Sequence, residues 1–348
     1  MRCDIQVVNP LLDPGWQQFV DSQANASVFH TSGWLQCLSK TYGFRPIVIT
    51  AAAPGQEIKA GIVFCAVHSW LTGARLVSLP FSDHCEPLAD RPAELSSLLG
   101  MLRSSPAIIR NQRYVELRPL DARWAAEIQK SGFAPAGSFM SHRLDLGQGA
   151  AALFKRFHKD CIQRKIRRAE GAGIRVEVGR SEELLNDFYR LHLLTRRRQG
   201  QVPQPFAWFR NLAGCLGLSM QVRAAYKGTR PLAAIITLTH LDRVVYKYGA
   251  SDASQNMLGG NQLLFWNVIQ EACREGLREL DLGRTDCDNP GLAAFKERWG
   301  AVRSDLVYWR RLAGTGNLRV SGAVKKVLAV ASTSLLRAAG ILFYRHAG

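Results

Sequence analysis

The chain has 348 residues, with 45 Lys and Arg against 28 Asp and Glu, a formal net charge of +17. Its 47% hydrophobic and 21% charged residues exclude a low-complexity or collagen-like chain, and its length favours two medium cores over one large one. The positive excess attracts polyanions such as nucleic acid, anionic lipid, or phosphorylated and nucleotide-linked substrates, although a solvated Arg-rich surface gives the same composition.

The eight cysteines are scattered, with no C-x-x-C pair. Neither a zinc site nor a disulfide framework is expected, and no bound cofactor or metal. The N-terminus lacks a signal-peptide apolar core. No run of about 18 apolar residues occurs. These features predict a cytoplasmic, reducing setting.

In chain order, a strand is predicted at Ile5–Val8 and a helix at Gly33–Tyr42, ended by Gly43. Strands follow at Pro46–Ala51 and Ile58–Val67, joined by a Pro54-Gly55 turn. A short strand, Arg75–Leu79, leads to the polar loop Ser82–Pro87. A helix from Pro92, a strand at Tyr114–Arg118, a helix at Ala122–Lys130 and a strand at Met140–Asp145 complete the first half. The second half opens with one basic helix, Ala151–Glu170, then strand Ile174–Val178 and helix Glu182–Gln199 capped by Ser181. Helix Phe206–Leu216 precedes a meander of Met220–Tyr226, Leu232–His240 and Val244–Tyr248.

The most regular stretch is Gly259–Ala301. A glycine pair opens a long amphipathic helix, Gly276 stops it, and a strand at Arg278–Leu282 leads to a polar loop, Arg284–Pro290, and a small helix. The two halves share an order of elements, which predicts an α/β (α+β) architecture of mixed sheets flanked by helices, built twice. The boundary is expected near Gly147-Gln148-Gly149. The tail, Asn317–His346, reads as a basic amphipathic helix that lies on an anionic membrane surface or packs on the body.

No G-x-S-x-G elbow, Walker loop, H-E-x-x-H or dinucleotide fingerprint is present. In the small helix, Leu292, Phe295 and Trp299 share one face, and Lys296 lies about 40° from Leu292 on the helical wheel. Lys296 is therefore aimed inward. It can hold a phosphate or steady an oxyanion, or cover the neighbouring rings with its stem. Arg164, Lys165, Arg167 and Arg168 suit phosphate or carboxylate recognition, or form a solvated charge run. Arg196–Arg198 complement a helix dipole. Strand alternation places Tyr246 and Tyr248 on one face, and Gly259-Gly260 offers free backbone N–H groups to an anion. In the Ser82–Pro87 loop a Cys85–His84 dyad is geometrically poor, so a carboxylate from Asp83 or Glu86 bordering a cleft is preferred.

Several segments resemble the acyltransferase superfamily of the Fem-type peptidoglycan bridge-forming aminoacyl transferases, including a proteobacterial branch linked to exopolysaccharide or exosortase systems. They are Arg164–Glu170, Thr195–Arg198, Tyr248-Gly249-Ala250-Ser251, Glu271–Gly283, Gly291–Gly300, Phe29-His30-Thr31 with Trp34-Leu35, and Pro80–Cys85. The resemblance spans residues 25 to 310 and implies tandem GNAT-like domains, expected at 1–147 and 148–312, with a tail at 313–348. It implies catalytic roles for Lys296 and Asp83, and substrate contacts from Tyr248, Arg164, Lys165, Arg168, Arg196, Arg284 and Gly260. The coiled-coil arm of some Fem proteins is absent. Gln255–Gly260 also departs from the acetyl-CoA loop pattern, with Leu258 where the first glycine should stand.

The donor, aminoacyl-tRNA or acyl-CoA, is left open. The function so implied is N-acyl or aminoacyl transfer to an amine of a cell-envelope precursor or polysaccharide. The alternatives are a non-catalytic accessory of exopolysaccharide export and a tRNA- or RNA-binding protein. Expected partners are the precursor, a tRNA donor and an anionic membrane at the inner face of the cytoplasmic membrane.

Overall fold

A computed structural model describes residues 4–52, 56–109, 111–312 and 333–346. The chain divides into two compact units. Among the described residues, the first holds 4–139, 305–312 and 345–346, and the second holds 140–304 and 333–344. The division thus falls earlier than the expected 147/148 boundary, and the chain returns to the first unit after residue 304.

The first unit contains strands β1 (Asp4–Val8), β2 (Arg45–Ala52), β3 (Ile58–Val67), β4 (Arg75–Val77) and β5 (Tyr114–Leu117). Helices α1 (Pro14–Ser22), α2 (Ser32–Tyr42), α3 (Pro92–Ser104), α4 (Pro106–Ile109) and α5 (Ala125–Lys130) accompany them. Its strand order is β1-β2-β3-β4-β5, with β4 and β5 parallel and the other pairs antiparallel. The core is aliphatic, with Leu95, Leu98 and Leu102 of α3 set against Ile49, Ile62 and Phe64. The expected Pro54-Gly55 turn lies outside the described residues.

In the second unit, strand β6 (Ala134–Asp145) enters from the first unit at Met140. Helices α6 (Ala150–Arg156), α7 (Arg164–Gly171), α8 (Glu182–Gln199), α9 (Phe206–Leu216), α10 (Gly260–Arg274) and α11 (Pro290–Glu297) follow in turn. Between them run β7 (Arg175–Gly179), β8 (Met220–Lys227), β9 (Arg230–His240), β10 (Arg243–Ser251) and β11 (Glu279–Asp286). The strand order is β6-β11-β10-β9-β8-β7. β7 to β10 form the antiparallel meander. α10 then crosses over, so that β11 lies parallel to β10.

The α10 crossover forms because its apolar residues recur at helical spacing and bury Leu264, Val268, Ile269 and Ala272. Gly276 ends it in the left-handed region, at φ 75°. Phe157 and Trp299 meet edge-on at 5.0 Å in the same core. Burying such rings stabilises the fold by about 1.5–3 kcal/mol each.

Four sequence expectations need correction. The basic helix is two helices, α6 and α7, joined by a π turn at Lys159–Gln163. Phe157 turns extended to enter the core, and the His158 N–H donates to the Arg298 carbonyl at 3.0 Å. Strand β11 runs to Asp286, so it takes in the start of the expected polar loop. A strand not expected at all, β12 (Val302–Leu312), pairs with β5 in the first unit, with Trp309 opposite Leu117. Its charges hid it: Arg310 is paired by the buried Glu116 at 2.5 Å, a partner remote in sequence. Finally, of the expected tail helix, residues 317–332 lie outside the described residues, and α12 spans Thr333–Phe343.

Gly259 stands at the start of α10 with φ 81°, and a Cβ there would lie 2.3 Å from the Lys165 carbonyl oxygen. Gly259→Ala is expected to destabilise the second unit by about 1–3 kcal/mol, read as a lower urea midpoint. An unchanged midpoint would show that α7 and the α10 corner are not held this closely.

Candidate functional site

Strands β10 and β11 pair only from Arg243 opposite Glu279 to Val245 opposite Asp281, and both then run on. A β-bulge in β10 follows at once: Tyr246 faces Thr237 on β9, and Tyr248 faces the next residue, Ile236. Lys247 is the extra residue. A bulge of one residue reverses the alternation of side chains. The expectation that Tyr246 and Tyr248 share a face is therefore wrong. Tyr246 packs on Phe265 of α10 at 4.6 Å. Tyr248 is buried on the other face with Phe209 and His192, and its hydroxyl accepts from Trp208 Nε1 at 2.9 Å. A Cβ at Gly249 would meet the Tyr246 hydroxyl oxygen at 1.9 Å, so this strand position requires glycine. Burial pushes the Tyr246 phenol up to about 12, and the Arg196 charge opposes the rise.

On the other strand, Gly283 adopts φ 74° and donates its N–H to the buried Asp281 carboxylate at 2.7 Å. This bend presents two carbonyls to α11. Lys296 is only 2% exposed, and its Nζ donates to Gly283 O at 2.7 Å and Arg284 O at 3.1 Å. The inward aim expected of Lys296 is observed, but the helix face differs. Ala293 and Lys296 are buried, whereas Leu292 is exposed, and Trp299 lies beyond the end of α11. Asn289 caps α11 by accepting from Leu292 N, which sets the rotation of the helix.

Sequence reasoning missed His142 and Thr285. Both are buried beside Lys296, with Thr285 Oγ1 3.4 Å from His142 Nδ1 and Glu297 Oε1 3.6 Å from His142 Nε2. Burial first, and then the Lys296 cation, hold the His142 imidazole below its ordinary range, while Glu297 pulls it up. A neutral imidazole thus sits beside a protonated amine. Nothing in the local sequence around β6 marks His142.

The α7 residues gather at another corner. α7 packs on α10 and on the turn at Ala253–Leu258. Arg168 donates to Met257 O at 3.2 Å, Arg164 pairs with Asp160 at 3.3 Å, and Lys165 is half-buried with its carbonyl under Gly259. Gly260 is buried in the first turn of α10, which has no side-chain cap. Its backbone N–H groups and the α7 cations make this corner attractive to anions.

Arg196, at the end of α8, is half-buried and bonded to Gln201. Arg284 is half-buried, 3.8 Å from Asp286. Asp83 belongs to the first unit, where its carbonyl accepts from Tyr308 at 2.6 Å. Glu86 is corrected from a cleft carboxylate to a buried anchor. It accepts from Leu120 N at 2.6 Å, Asp121 N at 3.1 Å and Trp124 Nε1 at 2.5 Å. The Cys85 thiol lies 3.4 Å from His30, not beside His84 in a dyad, and burial pushes its pKa up to about 12. Among the described residues, no group of three or more His, Cys, Asp or Glu is placed to hold a metal ion, and no helix is long and apolar enough to cross a membrane.

Residues 156–297 match the family described as acetyltransferase (GNAT) domain. That segment contains Lys296, both tyrosines, α7 and α10. The match lies within the second unit, and the chain has a GNAT-like α/β fold. Among solved structures, FemX is similar at 15% identity and TM-score 0.72, over 89% of this chain and 97% of that one. L-PGS from Bacillus licheniformis is similar at 14% identity and TM-score 0.56, over 94% and 97%. A tandem GNAT protein from the clavulanic acid biosynthesis pathway is similar at 12% identity and TM-score 0.56, over 91% and 100%. At these identities the likeness is one of fold. No curated protein matches the sequence.

Two outcomes test the site as built. Lys296→Ala leaves the Gly283 and Arg284 carbonyls without this donor, so a loss of about 1–3 kcal/mol is expected in urea unfolding. Lys296→Arg, which keeps a cation, should lose less. The folded imidazole of His142 binds its proton more weakly than the unfolded one, so its contribution is complete above about pH 6.5. It is lost as pH falls through the lower folded value. Stability measured from pH 7 to pH 5 should therefore fall less steeply in His142→Gln than in the parent protein. Equal slopes would refute the assignment.

Proposed function

We propose that this protein is an N-acyl or aminoacyl transferase that acts on an amine of a cell-envelope precursor or polysaccharide. The observation that carries the reading is the parting of β10 and β11 after Val245 and Asp281, with Lys296 held at the end of β11. Strands that part leave backbone N–H and C=O groups along their facing edges. An extended, amide-bearing donor can pair with such an edge as an added strand does. A positioned amine then attacks the donor's ester or thioester carbonyl. The amide bond forms as the acyl C–O or C–S bond breaks, and the alcohol or thiol of the donor departs with the amine's proton, taken directly or through solvent. No covalent enzyme intermediate is needed.

Negative charge develops on the carbonyl oxygen in that step. The Lys296 ammonium, fixed by two carbonyls in a buried setting, supplies positive potential for it. Neutral His142, with Thr285 beside its ring, lies within electrostatic reach of the ammonium without adding a second positive charge. The α7–α10 corner, with Lys165, Arg168 and the first turn of α10, suits the phosphates of the donor, whether acyl-CoA or aminoacyl-tRNA. FemX, and the C-terminal domain of a protein named Putative Lysylphosphatidylglycerol Synthetase from Agrobacterium fabrum (12% identity, TM-score 0.51, over 80% of this chain and 84% of that one), have similar folds, which supports an envelope setting. The exopolysaccharide-linked branch and the cytoplasmic face of the membrane remain part of the same proposal.

The test is transfer by the purified full-length chain, with acyl-CoA and charged tRNA as separate donors and amine-bearing envelope precursors as acceptors. Lys296→Gln should lower kcat/KM by about 100-fold or more, and Lys165→Ala with Arg168→Ala should raise KM for the donor. Asp83→Asn, in the first unit, tests the second catalytic residue of the resemblance. Full turnover by Lys296→Gln would overturn the role of Lys296, and absence of transfer from both donors would overturn the reading.

A further inference from the structure

Helix α12 is packed on the second unit by one face. Leu336 is fully buried, and a Cβ at Gly340 would lie 2.5 Å from the Pro203 carbonyl oxygen. Just beyond the helix, the Tyr344 hydroxyl accepts from Gln204 Nε2 at 2.6 Å. Arg337 lies 5.6 Å over the Tyr189 ring. A surface helix held in this way ordinarily turns polar side chains to water. Here the outward side chains are apolar: Leu335 is 56% exposed, Ile341 67%, Leu342 61% and Phe343 45%.

The spacing explains the arrangement. Leu335 and Leu342 are seven residues apart and so project within about 20° of each other. Arg337 and Ile341 are four apart and project within about 40°. Arg337 thus borders the apolar side chains, Arg345 follows two residues after Phe343, and residues 333–346 contain no Asp or Glu. At eleven residues the helix is too short to cross a bilayer.

We propose that this face of α12 lies on the surface of an anionic phospholipid bilayer. Apolar side chains bury in the boundary between headgroups and acyl chains, and the arginines meet lipid phosphates. The complementarity of charge selects this occupant. A second copy would bring another chain of net charge +17 and another pair of arginines against the same face, and these repel. The helix is already fixed by Leu336, Gly340 and Tyr344, so binding orders little further chain, which lowers its entropic cost. Vesicle binding is read without any transfer step, so failure of this inference and failure of the proposed transferase activity are distinguishable.

The experiment is vesicle co-sedimentation of the full-length chain. One vesicle is phosphatidylglycerol and phosphatidylcholine in equal parts, the other phosphatidylcholine alone. The parent protein should bind the anionic vesicles at least about tenfold more tightly, with binding that weakens as salt rises. Ile341→Asp and Leu342→Asp should each abolish sedimentation, and Arg345→Glu should weaken it about fivefold or more. All three residues are exposed, so the variants should keep the parent's melting temperature. Failure of the parent protein to bind either vesicle overturns the proposal, as does binding unchanged in Leu342→Asp. A parent protein that elutes as a dimer, and becomes a monomer in Leu342→Asp, assigns the face to a second copy and overturns it equally.

Discussion

A buried lysine ammonium must be surrounded by oxygen, and in this protein that demand shapes the end of strand β11. Lys296 is held by the carbonyls of Gly283 and Arg284. Those carbonyls point at it because Gly283 bends the strand in the left-handed region, and the bend is held by the Asp281 carboxylate. The loss of hydration of a buried cation is large, and these fixed dipoles help to offset it. Asn289 sets the helix that carries the lysine. Burial first, and then the Lys296 cation, disfavour a charge on His142.

The second constraint is the bulge in β10. It falls where the parallel ladder with β11 stops. One extra residue, Lys247, sends Tyr246 toward α10 and Tyr248 toward α8 and α9. The same irregularity therefore divides the aromatic residues between two faces and leaves the strands to part. Gly249 is the accommodation that permits it, since any larger residue would collide with the Tyr246 hydroxyl.

Much of the fold was legible in the sequence. α10 was readable because its period, its opening glycines and its terminating Gly276 agree. α8 was readable because Ser181 and Gly200 mark its ends. Lys296 was legible as an inward cation because a short helix has few rotations that bury its aromatic residues. What could not be read had a common cause. Strand β12 was not expected, because the countercharge for Arg310 comes from Glu116, remote in sequence. The single basic helix became two because Phe157 is drawn into a core whose other half lies at Trp299. Glu86 reads as a carboxylate bordering a cleft because its three donors come from residues 120 to 124, remote in sequence.

By itself, the sequence determined the periodic elements, their caps and stops, the absence of familiar nucleotide and hydrolase motifs, and a lysine directed inward. Those follow from interactions within a few residues, where helix and strand geometry fix the neighbours. Only the tertiary structure decided which charges are paired, where β10 gains its extra residue, that His142 and Thr285 join Lys296, and that α12 turns apolar side chains outward. Those are settled by partners distant along the chain, whose approach depends on packing that no local pattern records.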